Sequence, residues 1–169
     1  MDKRSALVAE LPHLMRYARA LTRDTDAAED LVQDCASRAL SRLHLFQAGT
    51  NMRAWLFTVL HNLHRQNLRK ASRRPASTQM TEEIENRLAA VDDATQRLSL
   101  RDLDHAVADL PEEQRQVVLL IGLEDMSYQE TATILDIPVG TVMSRLARAR
   151  ERLRRAMEGQ GQPRLRSVT

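Results

Sequence analysis

Arginines crowd the segment near the end of the sequence. Between residues 145 and 155 there are six arginines and a single acid, Glu151. A guanidinium group can engage two acceptors at once, which suits both phosphate oxygens and the guanine edge in the major groove of DNA. A helix that only covered a hydrophobic core would not need such an excess of arginines over acidic residues. The segment is therefore predicted to bind nucleic acid.

Charge is segregated elsewhere too, although the net charge is only +2. Residues 61–74 contain five basic side chains and no acid, whereas residues 81–96 contain five acids against one arginine. Such blocks are typical of interaction surfaces more than of a uniformly solvated exterior. The distribution therefore favours macromolecular partners.

No constellation for catalysis or metal binding is evident. His61 and His64 could share a helical face, but no third ligand, HExxH pattern or cysteine pair accompanies them. A Gly-rich phosphate loop and a nucleophile elbow are also missing from the sequence. We therefore expect no enzyme, no metal, no cofactor and no small-molecule substrate.

The elements that must position the charged blocks are predicted to be helices. Aromatic residues make up only 3% of the chain, so the core must be built mainly from aliphatic side chains. Apolar residues recur at spacings of three and four over residues 7–21, 27–45 and 52–68, and Trp55 falls on the apolar stripe of the third segment. Three helices with short connections can form a compact bundle.

Two further features bear on the environment of the protein. Cys35 is the single cysteine, which excludes an internal disulfide and fits a small buried side chain in a reducing compartment. The longest apolar run, residues 117–123, is too short to span a bilayer. We therefore expect a cytoplasmic protein with no direct membrane insertion.

A second helical cluster follows a polar stretch that is predicted to be a tether. Its first helix spans roughly residues 97–108, and Pro111 marks the start of the next. The sequence SYQE at residues 127–130 is a capping-box pattern, in which Ser127 and Glu130 exchange hydrogen bonds. Pro138 ends that helix near residue 135, and a new helix begins at about residue 139. Two helices joined by so short a break indicate a helix-turn-helix.

The final helix has one apolar and one polar face. The inner face is predicted to pack on the preceding helices, and its members are Val139, Val142, Leu146, Ala149 and Leu153. The residues predicted to face outward from its first turns, where a recognition helix enters the major groove, are Thr141, Ser144, Arg145 and Arg148.

Three motifs, in this order, resemble the extracytoplasmic-function class of bacterial sigma factors. They are AEDLVQD at residues 28–34, NMRAWLFTVLHN at residues 51–62, and LPEEQRQVVLLIGLEDMSYQETATILDIPVGTVMSRLARARERL at residues 110–153. The resemblance implies an all-α fold with an N-terminal helical bundle and a C-terminal helix-turn-helix joined by a flexible linker. The expected boundaries are residues 1–70 and 97–158 for the domains, 71–96 for the linker and 159–169 for a tail.

The resemblance also implies a function and a set of partners. Such a protein binds core RNA polymerase and directs promoter-specific initiation of transcription. The matching segment docks on the clamp helices of the largest subunit, where acids suit arginines of the partner. The residues carried over for this contact are Glu29, Asp30, Gln33 and Asp34.

For DNA, the resemblance implies two contact regions. The N-terminal domain would capture the minus-ten element as a single strand, with Asn62 lining a pocket for an extruded base. The helix-turn-helix would read the minus-thirty-five element, although Met143 stands where the family commonly has lysine or arginine. The minus-ten residues expected on this basis are Arg53, Asn62, Arg65, Arg69 and Lys70.

Alternatives remain at this point. A dimeric helix-turn-helix regulator on duplex operator DNA would need a dimerisation surface, and no sustained heptad is present. A helical adaptor without a nucleic-acid role would leave the arginine face unexplained. An anti-sigma factor as a further partner is implied by the resemblance only.

Overall fold

The computed structural model describes residues 2–73 and 94–160. Most of the predicted linker and nearly all of the predicted tail lie outside the described residues, so those two expectations stay predictions. Within the described part the chain is helical, with α1 (Lys3–Thr22), α2 (Thr25–Ser41), α3 (Met52–Ser72), α4 (Ala94–Ala108), α5 (Glu112–Val118), α6 (Tyr128–Leu135) and α7 (Val139–Gln160). A 3-10 turn at Leu43–Leu45 follows α2, and a π-helical turn at Leu119–Leu123 continues α5.

The first three helices form the predicted bundle. Leu14, Tyr17 and Phe57 are fully buried at its centre, with the Tyr17 and Phe57 rings in edge contact at a centroid distance of 5.2 Å. Side chains cap two of the helices, because Asp24 accepts from the amide of Ala27 and Asn51 accepts from that of Ala54. These caps set where α2 and α3 begin.

The helix-turn-helix is confirmed in detail. Ser127 Oγ accepts from the Glu130 amide at 3.1 Å, and the Glu130 carboxylate accepts from the Ser127 amide at 2.8 Å. Asp136 takes a left-handed conformation with φ of 54° and ends α6 just before Pro138. Of the predicted inner residues of α7, Val142, Leu146 and Ala149 are buried, whereas Val139 and Leu153 are half-buried.

Two boundaries differ from the sequence-based expectation. The second helix ends at Ser41 instead of residue 45, because the chain tightens into the 3-10 turn. The fourth helix begins at Ala94, three residues before the predicted start at residue 97.

The two helical halves pack on one another. α3 lies against α6, and α1 lies against the π-helical turn. One continuous cluster of buried apolar side chains runs through both halves. Cys35 is fully buried, as predicted, and burial raises the pKa of its thiol to about 12. In the described part of the chain, no helix is long and apolar enough to cross a bilayer.

Candidate nucleic-acid and polymerase-binding surfaces

An acidic surface occupies the outer side of α2. The inner side buries Leu31, Val32 and Cys35 against the bundle, which turns the remaining positions toward solvent. Arg19 of α1 approaches Glu29 at 3.8 Å and leaves the rest of the row open. We call this row the α2 face, and its members, all exposed, are Glu29, Asp30, Gln33 and Asp34.

The predicted minus-ten residues are spread along α3 and differ in their surroundings. Asn62, Arg69 and Lys70 are exposed. Arg53 is half-buried, with its guanidinium 2.7 Å from the Glu10 carboxylate and 3.0 Å from His13 Nε2. Arg65 donates to the backbone carbonyl of Leu135 in α6 at 3.3 Å. The structure thus leaves part of this set accessible and engages the rest internally.

Trp55 anchors the turn that precedes α3. Its ring is half-buried and packs on Phe46 at a centroid distance of 5.2 Å. Phe46 is itself buried and its carbonyl accepts from Lys3 Nζ at 2.7 Å. Trp55 therefore has a structural role in holding residues 46–51 against the bundle, as predicted from the apolar stripe.

The exposed side of α7 carries a small polar and arginine surface. Ser144 and Arg148 are exposed, and the Ser144 hydroxyl donates to the carbonyl of Thr141, which is half-buried. Arg145 has a side chain only 22% exposed and lies 3.7 Å from the Glu113 carboxylate. Ser144 and Arg148 are therefore the readily accessible members of the predicted recognition set.

The arginines further along α7 are partly neutralised within the helix. Arg154 donates to Glu151 and Glu158, and Arg155 donates to Glu151. Hydrogen bonds from Arg154 and Arg155 lower the pKa of Glu151 to about 2. These contacts make the helix end a weaker candidate for DNA than the segment around Arg148.

Two polar pairs, which sequence reasoning missed, link α1 to α3 and α3 to α5. The Tyr17 hydroxyl is hydrogen-bonded to His61 Nε2, and His64 Nε2 lies 2.7 Å from the Glu112 carboxylate. Burial lowers the pKa of His61 to about 3 and raises that of Tyr17 well above its usual value. Burial by itself would raise the pKa of Glu112, but hydrogen bonds, first of all from His64, lower it overall.

A second missed feature is the buried carboxylate of Glu124. Its side chain is fully buried, and it accepts from Arg16 Nε at 2.9 Å while lying 3.2 Å from His13 Nδ1. The available signal was an acid placed directly after the apolar run at residues 117–123. Nothing in the sequence indicated its partners, which lie more than a hundred residues earlier.

The histidine pair does not form part of a metal cluster. Among the residues whose placement is described, no group of three His, Cys, Asp or Glu side chains is arranged to hold a metal ion. His61 and His64 instead pair with different residues, Tyr17 and Glu112.

Two known families match parts of the chain. The description "Sigma-70, region 4" matches residues 100–153, which include the helix-turn-helix. The description "Sigma2 domain of PhyR" matches residues 7–61, which cover α1, α2 and the first half of α3. The two matches are consistent with the two helical halves of the fold.

Relatives match over nearly the whole chain. The ECF RNA polymerase sigma factor EcfG of Rhodopseudomonas palustris is 37% identical over 150 residues, covering 89% of this chain and 82% of the relative. The RNA polymerase sigma-H factor of Pseudomonas aeruginosa is 31% identical, covering 93% of this chain and 88% of the relative.

Among solved structures, a similar fold occurs in the sigma factor RpoE of Bartonella quintana, determined in complex with the anti-sigma factor NepR. That chain is 32% identical, superposes with a TM-score of 0.74, and the match covers 91% of this chain and 95% of the other.

Proposed function

The chain belongs to the extracytoplasmic-function class of RNA polymerase sigma factors, and on that basis we propose how its surfaces divide the work of promoter recognition. As a member, it binds core RNA polymerase and directs initiation at promoters. The proposal assigns core binding to α2, the minus-ten element to α3 and the minus-thirty-five element to α7. No residue is assigned a catalytic role, and the protein would act in the cytoplasm, where its polymerase is.

The observation that carries this division is the exposure of three separate polar faces on helices whose other sides are buried. On α2, acids and Gln33 remain in solvent after the apolar side has packed. Carboxylates in such a row suit arginines on the clamp helices, because charge-assisted hydrogen bonds are about twice as strong as neutral ones. Complementary charge also speeds association with the polymerase.

The exposed basic residues support the role of α3. Asn62 offers an amide that can read the edge of an extruded base, and Arg69 and Lys70 follow it along the helix toward Ser72. Extrusion of a base costs a few kcal/mol, which pocket contacts must offset. Arg69 and Lys70 would hold the sugar-phosphate backbone of the strand that carries this base.

The recognition helix supports the minus-thirty-five assignment. Ser144 and Arg148 are accessible in the first three turns of α7, where a helix-turn-helix contacts base edges. Arg145 lies at the edge of the exposed side of α7 and is expected to contact a phosphate. Thr141, near the start of α7, is expected to do the same. The alternative of a dimeric regulator on operator DNA is disfavoured, because the relatives of this chain are named as RNA polymerase sigma factors.

An anti-sigma partner forms part of the proposal. The solved relative from Bartonella quintana is held by NepR, and at 32% identity a comparable inhibitor of this chain is a reasonable inference. Such a protein would compete with the polymerase for the free sigma factor.

Run-off transcription with purified core polymerase and fragments of the host genome tests the function. Specific transcripts should appear only when the protein is added. If core polymerase gives no specific start in its presence on any fragment, the assignment is wrong. Mapping the starts also supplies the promoter needed for the variants described below.

The role of Asn62 can be tested on that promoter. Asn62→Ala should reduce open-complex formation while core binding stays intact, because only a base contact is lost. Permanganate footprinting reports unpaired thymines in the melted region. Unchanged footprints would refute the flipped-base pocket, and the neighbouring exposed Gln66→Ala serves as the matched control.

A further inference from the structure

Met143 lies exposed on the side of α7 that is proposed to read the minus-thirty-five element. Its side chain is large and apolar, yet the residue is 52% exposed. Val142 before it and Leu146 after it are buried and pack α7 on the rest of the protein. Met143 is therefore not needed to hold α7 in place, and its apolar surface gains free energy only when a partner covers it.

The edge of α7 that carries Met143 has no charged side chain over its first two turns. At 100° per residue, Gly140 three positions earlier and Ala147 four positions later lie on the same edge as Met143. Both are exposed and neither has a side chain longer than a methyl group. Met143 is thus the one long side chain that this edge offers to a partner in the first two turns.

The other edge of the exposed side is cationic. Arg148 is exposed there and Arg145 is half-buried, on the far side of Ser144 from Met143. α7 therefore offers a partner guanidinium groups along one edge and an apolar side chain along the other. A helix that only neutralised phosphates would be suited by cations on both edges.

The space beside Met143 is open. Side chains on a helix lean toward its N-terminus, so Met143 reaches toward the first turn of α7, on the side of Gly140. In the described part of the chain, nothing lies within 4 Å of the position that a Cβ atom on Gly140 would occupy. The fold does not require a glycine at this position for space, and the missing side chain leaves room for a partner to approach Met143.

The major groove of DNA offers one kind of apolar group to such a side chain. Each base pair presents nitrogen and oxygen donors and acceptors there, and the C5-methyl group of thymine is the apolar exception. A methionine side chain is flexible and polarisable, so it can adjust to the position of a methyl group. Arg148 and Ser144, beside it, suit the acceptors and phosphates of the same groove.

We propose that Met143 is a specificity-determining residue, which contacts the methyl group of a thymine in the minus-thirty-five element and so favours an A·T pair at that position. The inference rests on the proposed minus-thirty-five role of α7 and deepens it. Met143 stands where the family commonly has lysine or arginine, so the preference belongs to this chain and not to the class as a whole.

The test uses holoenzyme assembled from the full chain and core polymerase, on the promoter mapped by run-off transcription. Each thymine of the minus-thirty-five element, on either strand, is replaced in turn by deoxyuridine, which removes only the C5-methyl group. We expect one replacement to weaken binding about threefold to fivefold, the effect of losing one buried methyl group. The same replacement between the two elements is the control and should have no effect. An element without any A·T pair, or one in which no replacement weakens binding, would overturn the inference.

Variants then assign the methyl contact to Met143. Holoenzyme with Met143→Ala should bind the thymine and deoxyuridine promoters equally, whereas Met143→Leu keeps an apolar side chain of similar size and should retain most of the difference. Leu45→Ala is the matched control, because it removes a comparably exposed apolar side chain, at 66%, outside α7. Its holoenzyme should distinguish the two promoters as the wild type does. Circular dichroism checks that each variant keeps its helix content.

Met143→Lys separates an apolar role from an electrostatic one. A lysine at this position can neutralise a phosphate, so the variant should keep or gain affinity for the promoter, and that affinity should fall more steeply with added salt. The difference between thymine and deoxyuridine should nevertheless be lost, because the apolar contact is gone. A deoxyuridine penalty that persists in Met143→Ala or Met143→Lys would show that another residue contacts the methyl group.

Run-off transcription distinguishes a failure of this inference from a failure of the assigned function. If the wild-type holoenzyme initiates specifically but is indifferent to deoxyuridine, the Met143 contact is wrong and the sigma-factor role stands. If Met143→Ala weakens binding of both promoters equally, Met143 contacts a protein instead of a thymine, and the inference is again wrong. If no specific start appears at all, the assigned function fails and the Met143 contact with it.

Discussion

At the scale of single residues, burial sets the protonation of the interior. His61 lies fully buried beside Tyr17, and burial lowers its pKa to about 3. The imidazole is therefore neutral in the folded protein at neutral pH. In the unfolded chain the same ring takes up a proton near its ordinary pKa of about 6.5.

Acid should therefore destabilise the fold through His61. Between pH 6.5 and 3 the unfolded chain binds one more proton than the folded one, so the free energy of unfolding falls as pH falls. We expect a loss of about 2 kcal/mol between pH 7 and pH 5 in urea denaturation. The lowered pKa of Glu112 adds a loss in the same direction only at lower pH, as its carboxylate takes up a proton.

His61→Gln should remove most of this pH dependence, because the amide does not titrate and can still accept from the Tyr17 hydroxyl. The matched control is His44→Gln, whose side chain is exposed. If the free energy of unfolding of His61→Gln falls with pH as steeply as that of the wild type, another titrating group is responsible.

Arg148 is expected to contribute to minus-thirty-five recognition. Arg148→Ala should weaken binding of the mapped promoter duplex by about 1–3 kcal/mol, the usual cost of losing a base contact. Arg154→Ala is the control on the same helix, because Arg154 already pairs with Glu151 and Glu158. Equal affinities of Arg148→Ala and the wild type in an anisotropy titration would refute the assigned contact.

At the scale of elements, short helices depend on their caps. α6 has only eight residues, so its first turn is stabilised by the exchange between Ser127 and Glu130 and by burial of Ala132 and Ile134. The left-handed Asp136 then reverses the chain and sets the angle at which α7 leaves. The placement of α7, the proposed recognition helix, therefore depends on residues of α6 and of the turn that follows it.

Ser127→Ala should cost about 1 kcal/mol of unfolding free energy, because the Glu130 amide loses its acceptor. Thr133→Ala is the control within the same helix. Its exposed hydroxyl bonds only to the Gln129 carbonyl, and alanine has the higher helix propensity, so it should be neutral or slightly stabilising. Urea denaturation compares the two, and an equal loss in both would contradict a specific role for the cap.

At the scale of the whole molecule, opposite charges are placed on different helices. α2 carries four acids against Arg38, whereas α7 carries six arginines against two glutamates. A partner polymerase and a promoter can therefore be attracted to separate surfaces of one small protein. Both attractions should weaken with added salt, since exposed charges are screened.

The α2 face is expected to dominate binding of core polymerase. Asp30→Ala combined with Asp34→Ala should weaken core binding at least about tenfold, because two charge-assisted contacts are lost. Asp26→Ala provides the control, as an exposed acid in the first turn of α2 outside the proposed face. A native-gel or surface-binding assay in which Asp26→Ala has the same effect would point to general charge instead of a specific contact.

Local patterns in the sequence were sufficient to predict the helices, the capping box and the exposure of Ser144 and Arg148 on α7, whereas Thr141 and Arg145, also predicted to face outward, are half-buried. Each of these depends on neighbours within about four positions, through helical periodicity or hydrogen bonds to nearby amides. Asp30 and Asp34 were singled out by the family resemblance, and both are exposed on α2. The family followed from motifs whose order is itself a property of the sequence.

The contacts that cross between the halves could not be predicted in this way. Glu124 meets Arg16 across 108 positions of sequence, and Arg65 meets Leu135 across 70. Such pairs form only once separately folded surfaces are packed together, and no local spacing encodes them. Whether Arg65 is free or covered, and whether Glu124 is a solvated acid or a buried one, was settled by long-range packing, because burial depends on the whole chain.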